Sequence, residues 1–171
     1  LVGSNLSPCP LTPTNKMADP EIAQWTRRGS ISLWHYDDFP KSYCGYHLSA
    51  DQDGCAFLTG LIERFRQARY PARKKIALDR PTTEMLSVPN CPKQCVPAEH
   101  LELCFRPDWD DEHWSVSERN GEVVIEMGAL GLDDFDRGTA DMARAAGDWS
   151  TGSGAQSLWF WWHPDTRPTQ A

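Results

Sequence analysis

Cys91, Cys95, His100 and Cys104 follow one another with the spacing C-x3-C-x4-H-x3-C, the densest set of metal-ligating side chains in the chain. Zinc takes four N or S ligands at tetrahedral corners, and knuckle-type sites use gaps close to these. The first gap here is longer than a knuckle's and the last is shorter. His100 and Cys104 also alternate with Leu101, Leu103 and Phe105, which reads as a half-buried strand. On an extended strand they would stand about 13 Å apart. The expectation is therefore no metal site, with the thiols incidental to a Pro-rich loop over 88–97. A zinc-stabilised interaction module is the alternative.

Cys55 lies early in a predicted helix, where the dipole lowers a thiol pKa and favours a nucleophile. His35, His47 or His113 could act as its base, but nothing in the sequence sets any of them beside it. A buried core cysteine is the simpler reading, so no catalytic residue is assigned, and a small Cys-dependent enzyme stays the alternative. Asp51, Asp53 and Gly54 resemble part of a calcium loop, yet the third acid and the closing Glu are missing. No phosphate loop, dinucleotide fingerprint or hydrolase motif occurs, and no cofactor is expected.

The remaining candidate is a binding surface. Asp108-Trp109-Asp110-Asp111-Glu112-His113-Trp114 mixes four acids with two tryptophans in a predicted loop. Tryptophan is enriched among interface anchors, and acids steer a basic partner into place. Trp109, Asp110, Asp111, Glu112 and His113 are the candidate partner-binding residues. The bland reading is a solvated loop with Trp114 tucked into a sheet.

Composition narrows the classes. A chain of 171 residues, 40% hydrophobic and 24% charged, suits one globular domain. No apolar run approaches the roughly 18–20 residues of a membrane span. No basic segment followed by an apolar block marks a secretory signal, so the six cysteines are expected to be reduced thiols in the cytoplasm. Met17 is a candidate start of translation. The net charge of −7 speaks against nucleic acid as a partner. Bases concentrate at Arg64, Arg66, Arg69, Arg73, Lys74, Lys75 and Arg80, whereas 99–148 is acidic.

The elements that must position these residues can be read in order. Pro8, Pro10, Pro13 and Pro20 predict a disordered leader over 1–24, ahead of a single domain over 25–164 and a tail over 165–171. Ile31–Tyr36 and Tyr43–Leu48 predict a hairpin. Ser49 and Gln52 fit a capping box for a helix whose stripe is Leu58, Leu61, Ile62 and Phe65, ended by Pro71. Lys75–Leu78 predicts a short strand, and Thr82 caps a helical turn. Asn120-Gly121 predicts a two-residue type I′ turn that pairs Trp114 with Met127 and Val116 with Ile125. Leu132, Phe135, Thr139, Met142 and Ala146 predict a second helix, opened by Asp133 and Asp134 and capped by Gly147, with Gly138 a weak point inside it. A polar loop over 148–156 leads into Leu158-Trp159-Phe160-Trp161-Trp162, a strand apolar on both faces. The order predicts an α+β fold: a mixed, mostly antiparallel sheet with two main helices on one face. The strand would be central and covered on both sides, or would leave Trp159 and Trp161 open to a partner.

Three stretches carry a resemblance: Leu48-Ser49-Ala50-Asp51 followed by Gly54-Cys55, Gly147-Asp148-Trp149-Ser150, and the Leu158–Trp161 run after a Gly-rich loop. Over roughly positions 31 to 163 the chain resembles small uncharacterised bacterial proteins of the immunity-protein type from polymorphic toxin systems. The resemblance implies a cytoplasmic, non-catalytic protein that neutralises a toxin by occlusion, with an acidic face suited to a basic toxin domain.

Overall fold

The structure is a computed structural model that describes residues 20–37, 41–146 and 148–166. It opens with a helical turn, α1 (Pro20–Gln24), then strands β1 (Ile31–Tyr36) and β2 (Tyr46–Ala50). These two pair antiparallel, with Ile31 opposite Ala50 and His35 opposite Tyr46. Tyr43 falls in a 3-10 turn, Lys41–Tyr43, so the second strand starts later than expected. Residues 1–19 of the expected leader and 167–171 of the expected tail lie outside the described residues. Pro20–Gln24 differ from that expectation. Ile22 is 2% exposed in the core, and Lys74 Nζ donates to the Ile22 and Ala23 carbonyls at 3.1 and 3.0 Å. The folded unit thus begins before residue 25.

Helix α2 (Gln52–Gln67) follows β2 directly. Its cap is Asp51 rather than Ser49: Asp51 Oδ1 accepts the Gly54 N–H at 2.7 Å, and Ser49 remains in β2 opposite Ser32. The strand claims Ser49 because its backbone is needed in the ladder. Next come β3 (Ala72–Ala77), the turn α3 (Thr83–Leu86) capped by Thr82, and β4 (Cys95–Pro97) within the expected loop. Strands β5 (His100–Phe105), β6 (Trp114–Arg119) and β7 (Glu122–Met127) follow. The β6–β7 hairpin has the expected register throughout, with Asn120 and Gly121 at φ 53° and 76° as a type I′ turn requires.

Helix α4 spans Ala129–Ala143, so Asp133 and Asp134 lie inside it, and Ala146 falls beyond its end and is exposed. Part of the expected polar loop is strand β8 (Asp148–Thr151), which pairs with β9 (Leu158–Trp162).

The fold is α+β, and its strands divide into two mixed sheets, ordered β4-β1-β2-β9-β8 and β3-β5-β7-β6. The two parallel pairs are β2–β9 and β5–β7; the others are antiparallel. The division happens between two neighbouring residues. Ala98 N–H donates to Leu33 O in the first sheet, and Glu99 N–H to Gly121 O at the turn of the second, at 2.9 and 2.8 Å. A pairing run that could have been one strand is therefore split. Arg27 ties the sheets again, donating to Asp79 at 3.0 and 2.8 Å.

Helices α2 and α4 run antiparallel. Gln52 at one end donates to Ala143 O at 2.6 Å. At the other end Arg66 reaches Asp133 and Asp136 at 2.9 and 3.1 Å. One apolar core draws on both sheets and both helices. Strand β9 is interior, between β2 and the edge strand β8, and covered on each side. Phe160 meets Phe135 edge-on at 5.3 Å between centroids. Gly138 lies directly beneath the Phe160 ring, where a Cβ would come within 2.5 Å of it. The glycine that weakens the isolated helix is what lets α4 approach the sheet. On the far side, Trp161 joins Trp34 and Tyr36 beneath Leu86, Val88, Cys91 and Cys95.

Candidate functional site

The acidic loop is built by the chain's exit from β5 and its return into β6. Trp109 N–H closes a turn onto Arg106 O at 3.1 Å, and His113 N–H closes another onto Asp110 O at 2.9 Å. Asp110 Oδ1 also accepts the Glu112 N–H at 2.9 Å, the self-bonding that makes Asp a turn residue. The loop is then fastened to α4. Its N-cap, Gly128, has no side chain to bond the first turn, so Asp111 O accepts the Leu130 N–H at 3.0 Å instead. A Cβ on Gly128 would stand 2.1 Å from Asp110 O, so only glycine allows this approach.

Trp109 is half-buried. Its ring lies 4.4 Å from that of His113, and the Arg106 guanidinium sits 5.7 Å from its centroid. Arg106 is itself held by both oxygens of Asp108, at 3.0 and 2.8 Å. His113 Nε2 is 3.8 Å from Glu126 Oε2, within ion-pair reach but beyond hydrogen-bond length, and it has no hydrogen-bond partner. Trp109, Asp110, Asp111 and Glu112 line a shallow, open surface depression together with Leu130, which is 51% exposed. Four of the five predicted contact residues thus share one surface, and His113 supports it from below. Leu130 is the residue that sequence reasoning passed over. It precedes the buried Leu132 by two positions, which on a helix turns it away from the stripe of Leu132, Phe135, Thr139 and Met142.

Charge pairing sets this loop apart. Much of the basic run is paired internally: Arg64 with Glu21, Arg66 with Glu63, Asp133 and Asp136, Arg73 with Glu102, and Lys75 with Glu122, while Arg69 and Arg80 are exposed. Asp110, Asp111 and Glu112 are exposed and make no ion pair among the described residues. Their place beside the N-terminus of α4, the positive end of the helix dipole, offsets part of their mutual repulsion.

The other sequence candidates scatter. Cys91 and Cys95 pack against Trp34, Tyr36 and Trp161 on the first sheet, while His100 and Cys104 lie in β5 of the second, opposite Ala77 and Arg73. Among the described residues no group of three or more His, Cys, Asp or Glu side chains could hold a metal ion. The five described cysteines are free thiols. Burial pushes the Cys55 thiol up to about 12, and its Sγ donates to Ala50 O at 3.5 Å. The desolvation of a core position overrides the helix dipole, and this cysteine is not a nucleophile at neutral pH.

His47 is the centre of the aromatic face on the first sheet. Its ring is flanked across the strands by Trp34 and Trp159, at 5.7 and 6.4 Å, both nearly parallel to it. Trp161 Nε1 lies 2.9 Å from His47 Nδ1, and Tyr43 O lies 3.1 Å from His47 Nε2. An indole N–H only donates and a carbonyl only accepts. Nδ1 is therefore unprotonated and Nε2 carries the hydrogen. Burial pushes the His47 pKa down to about 4 and that of the neighbouring Tyr36 hydroxyl up to about 12. Both groups are neutral near pH 7; the His47 nitrogens are both bonded, whereas the Tyr36 hydroxyl is buried without a hydrogen-bond partner.

No protein-family model and no curated protein matches the chain. No helix among the described residues is long and apolar enough to cross a membrane.

Proposed function

We propose that this chain is a non-catalytic binding protein, acting in the cytoplasm, whose loop 108–113 covers a basic protein partner such as a toxin domain. The observation that carries this reading is the set of three consecutive exposed carboxylates, Asp110, Asp111 and Glu112, without a cation partner among the described residues and next to half-buried Trp109. Unpaired charge at a surface raises the rate of encounter with an opposite charge, and an aromatic beside it slows departure. The resemblance to toxin-neutralising proteins fits the same mode of action, occlusion without chemistry. Neither nucleic acid nor a membrane surface, both anionic, suits this face.

The test is genetic and biochemical. The product of the gene adjacent to this one is expressed in a heterologous host with the wild-type chain or with its Asp110→Lys/Asp111→Lys/Glu112→Lys variant. Growth arrest relieved by the wild type and restored by the variant supports the proposal. A harmless neighbour, or a variant that protects as well as the wild type, overturns it.

A further inference from the structure

Leu130 has a counterpart. Tyr70, between the end of α2 and β3, is the other large hydrophobic side chain left largely exposed among the described residues, at 57% against 51% for Leu130. The topology puts both at one end of the molecule. The C-terminal end of α2 meets the N-terminal part of α4 through Arg66 and Asp133. In the second sheet, Ala72 at the start of β3 stands opposite Phe105 at the end of β5, which stands opposite Met127 at the end of β7. Tyr70 therefore lies just outside the same rung from which the acidic loop departs and after which Leu130 follows.

We infer that the docking surface extends across this whole end of the molecule, with Tyr70 and Leu130 as apolar anchors and Asp110, Asp111 and Glu112 as the charged element. The partner segment it fits is amphipathic and basic, an apolar face carrying flanking Lys or Arg. This rests on the proposed binding role and adds to it which side chains hold the partner. Charge complementarity argues for the occupant: Asp110, Asp111 and Glu112 are unmatched among the described residues and Arg66 and Arg106 at this end are already paired, so the bases of the segment meet the acidic loop and not the Tyr70 side, where Arg69 is exposed. An exposed tyrosine is a frequent interface anchor, and covering an exposed leucine removes apolar surface from water. Both are more than half exposed, and substitutions at exposed positions change stability little.

The probe is a fluorescein-labelled 14-residue peptide of Leu and Lys with leucines in helical register, titrated into the full chain by anisotropy. A peptide with Glu in place of Lys is the control. Binding of the Lys peptide alone, weakened at least tenfold by Asp110→Asn/Asp111→Asn/Glu112→Gln and at least fivefold by Tyr70→Ser and by Leu130→Ser singly, supports the inference. If the charge variant loses binding while both serine variants bind like wild type, the contact is electrostatic only; the anchors are then refuted and the acidic-loop reading stands. If the charge variant binds like wild type, or wild type does not bind the Lys peptide, the acidic-loop reading falls and the anchors with it. Equal binding of the Glu peptide refutes the inference as non-specific adhesion. Circular dichroism of each variant separates lost contact from lost fold.

Discussion

His47 is fully buried with both ring nitrogens committed, and that fixes how acid acts on this protein. Its pKa falls from 6.5 to about 4 on folding because burial penalises the imidazolium. The unfolded chain therefore binds the proton first. Stability from this group is complete above pH 6.5, is lost as pH falls from 6.5 to about 4, and changes no further below that. The loss amounts to roughly 3 kcal/mol at about 1.4 kcal/mol per pH unit. Urea unfolding at pH 7 and pH 4.5 should show wild type losing more stability over this interval than His47→Phe, whatever the variant's stability at neutral pH. Equal losses would mean that His47 is not the group titrating.

At the scale of elements, two substitutions separate local propensity from packing. Asp51→Ala should lower stability by about 1 kcal/mol, the usual worth of an N-cap side chain. Ser49→Ala should cost nothing, because the Ser49 hydroxyl is buried without a hydrogen-bond partner and removing such a group is neutral or favourable. Were Ser49 the cap, the order would reverse. Gly138→Ala opposes two effects. Helix propensity favours alanine by about 1 kcal/mol, but its Cβ would stand 2.5 Å from the Phe160 ring. Forcing α4 off the sheet costs about 1–3 kcal/mol, so the urea midpoint should fall.

For the whole molecule, the proposed contact surface and the core lie in different places. The core runs through both sheets and both helices, while the proposed contact surface is a loop in which Asp110, Asp111 and Glu112 make no ion pair among the described residues. Asp110→Asn/Asp111→Asn/Glu112→Gln should therefore leave the thermal midpoint within a few degrees of wild type, or raise it slightly by relieving repulsion, consistent with the small effects of exposed charges. A large drop in a thermal scan would show that these acids hold the fold instead.

Some features are settled among residues that are neighbours in the chain. The β6–β7 hairpin follows from Asn120-Gly121 and the alternation around it, since a type I′ turn fixes register over the strands it joins. The α2 stripe, the strand character of His100–Phe105 and the α+β class followed from periodicity for the same reason. The acidic loop was legible because its composition is contiguous. Other features depend on distant partners and emerge only when the chain is folded. Ser49 was drawn into β2 by Ser32 opposite it, and residues 148–151 became a strand because β9 offered an edge. The single expected sheet became two where Ala98 and Glu99 donate to different partners. Burial overrode the dipole at Cys55, and the exposed Tyr70 and Leu130 came to one end because α2 and α4 pack antiparallel. Hydrogen-bond donors, desolvation and helix direction are properties of the assembled chain, and no local pattern encodes them.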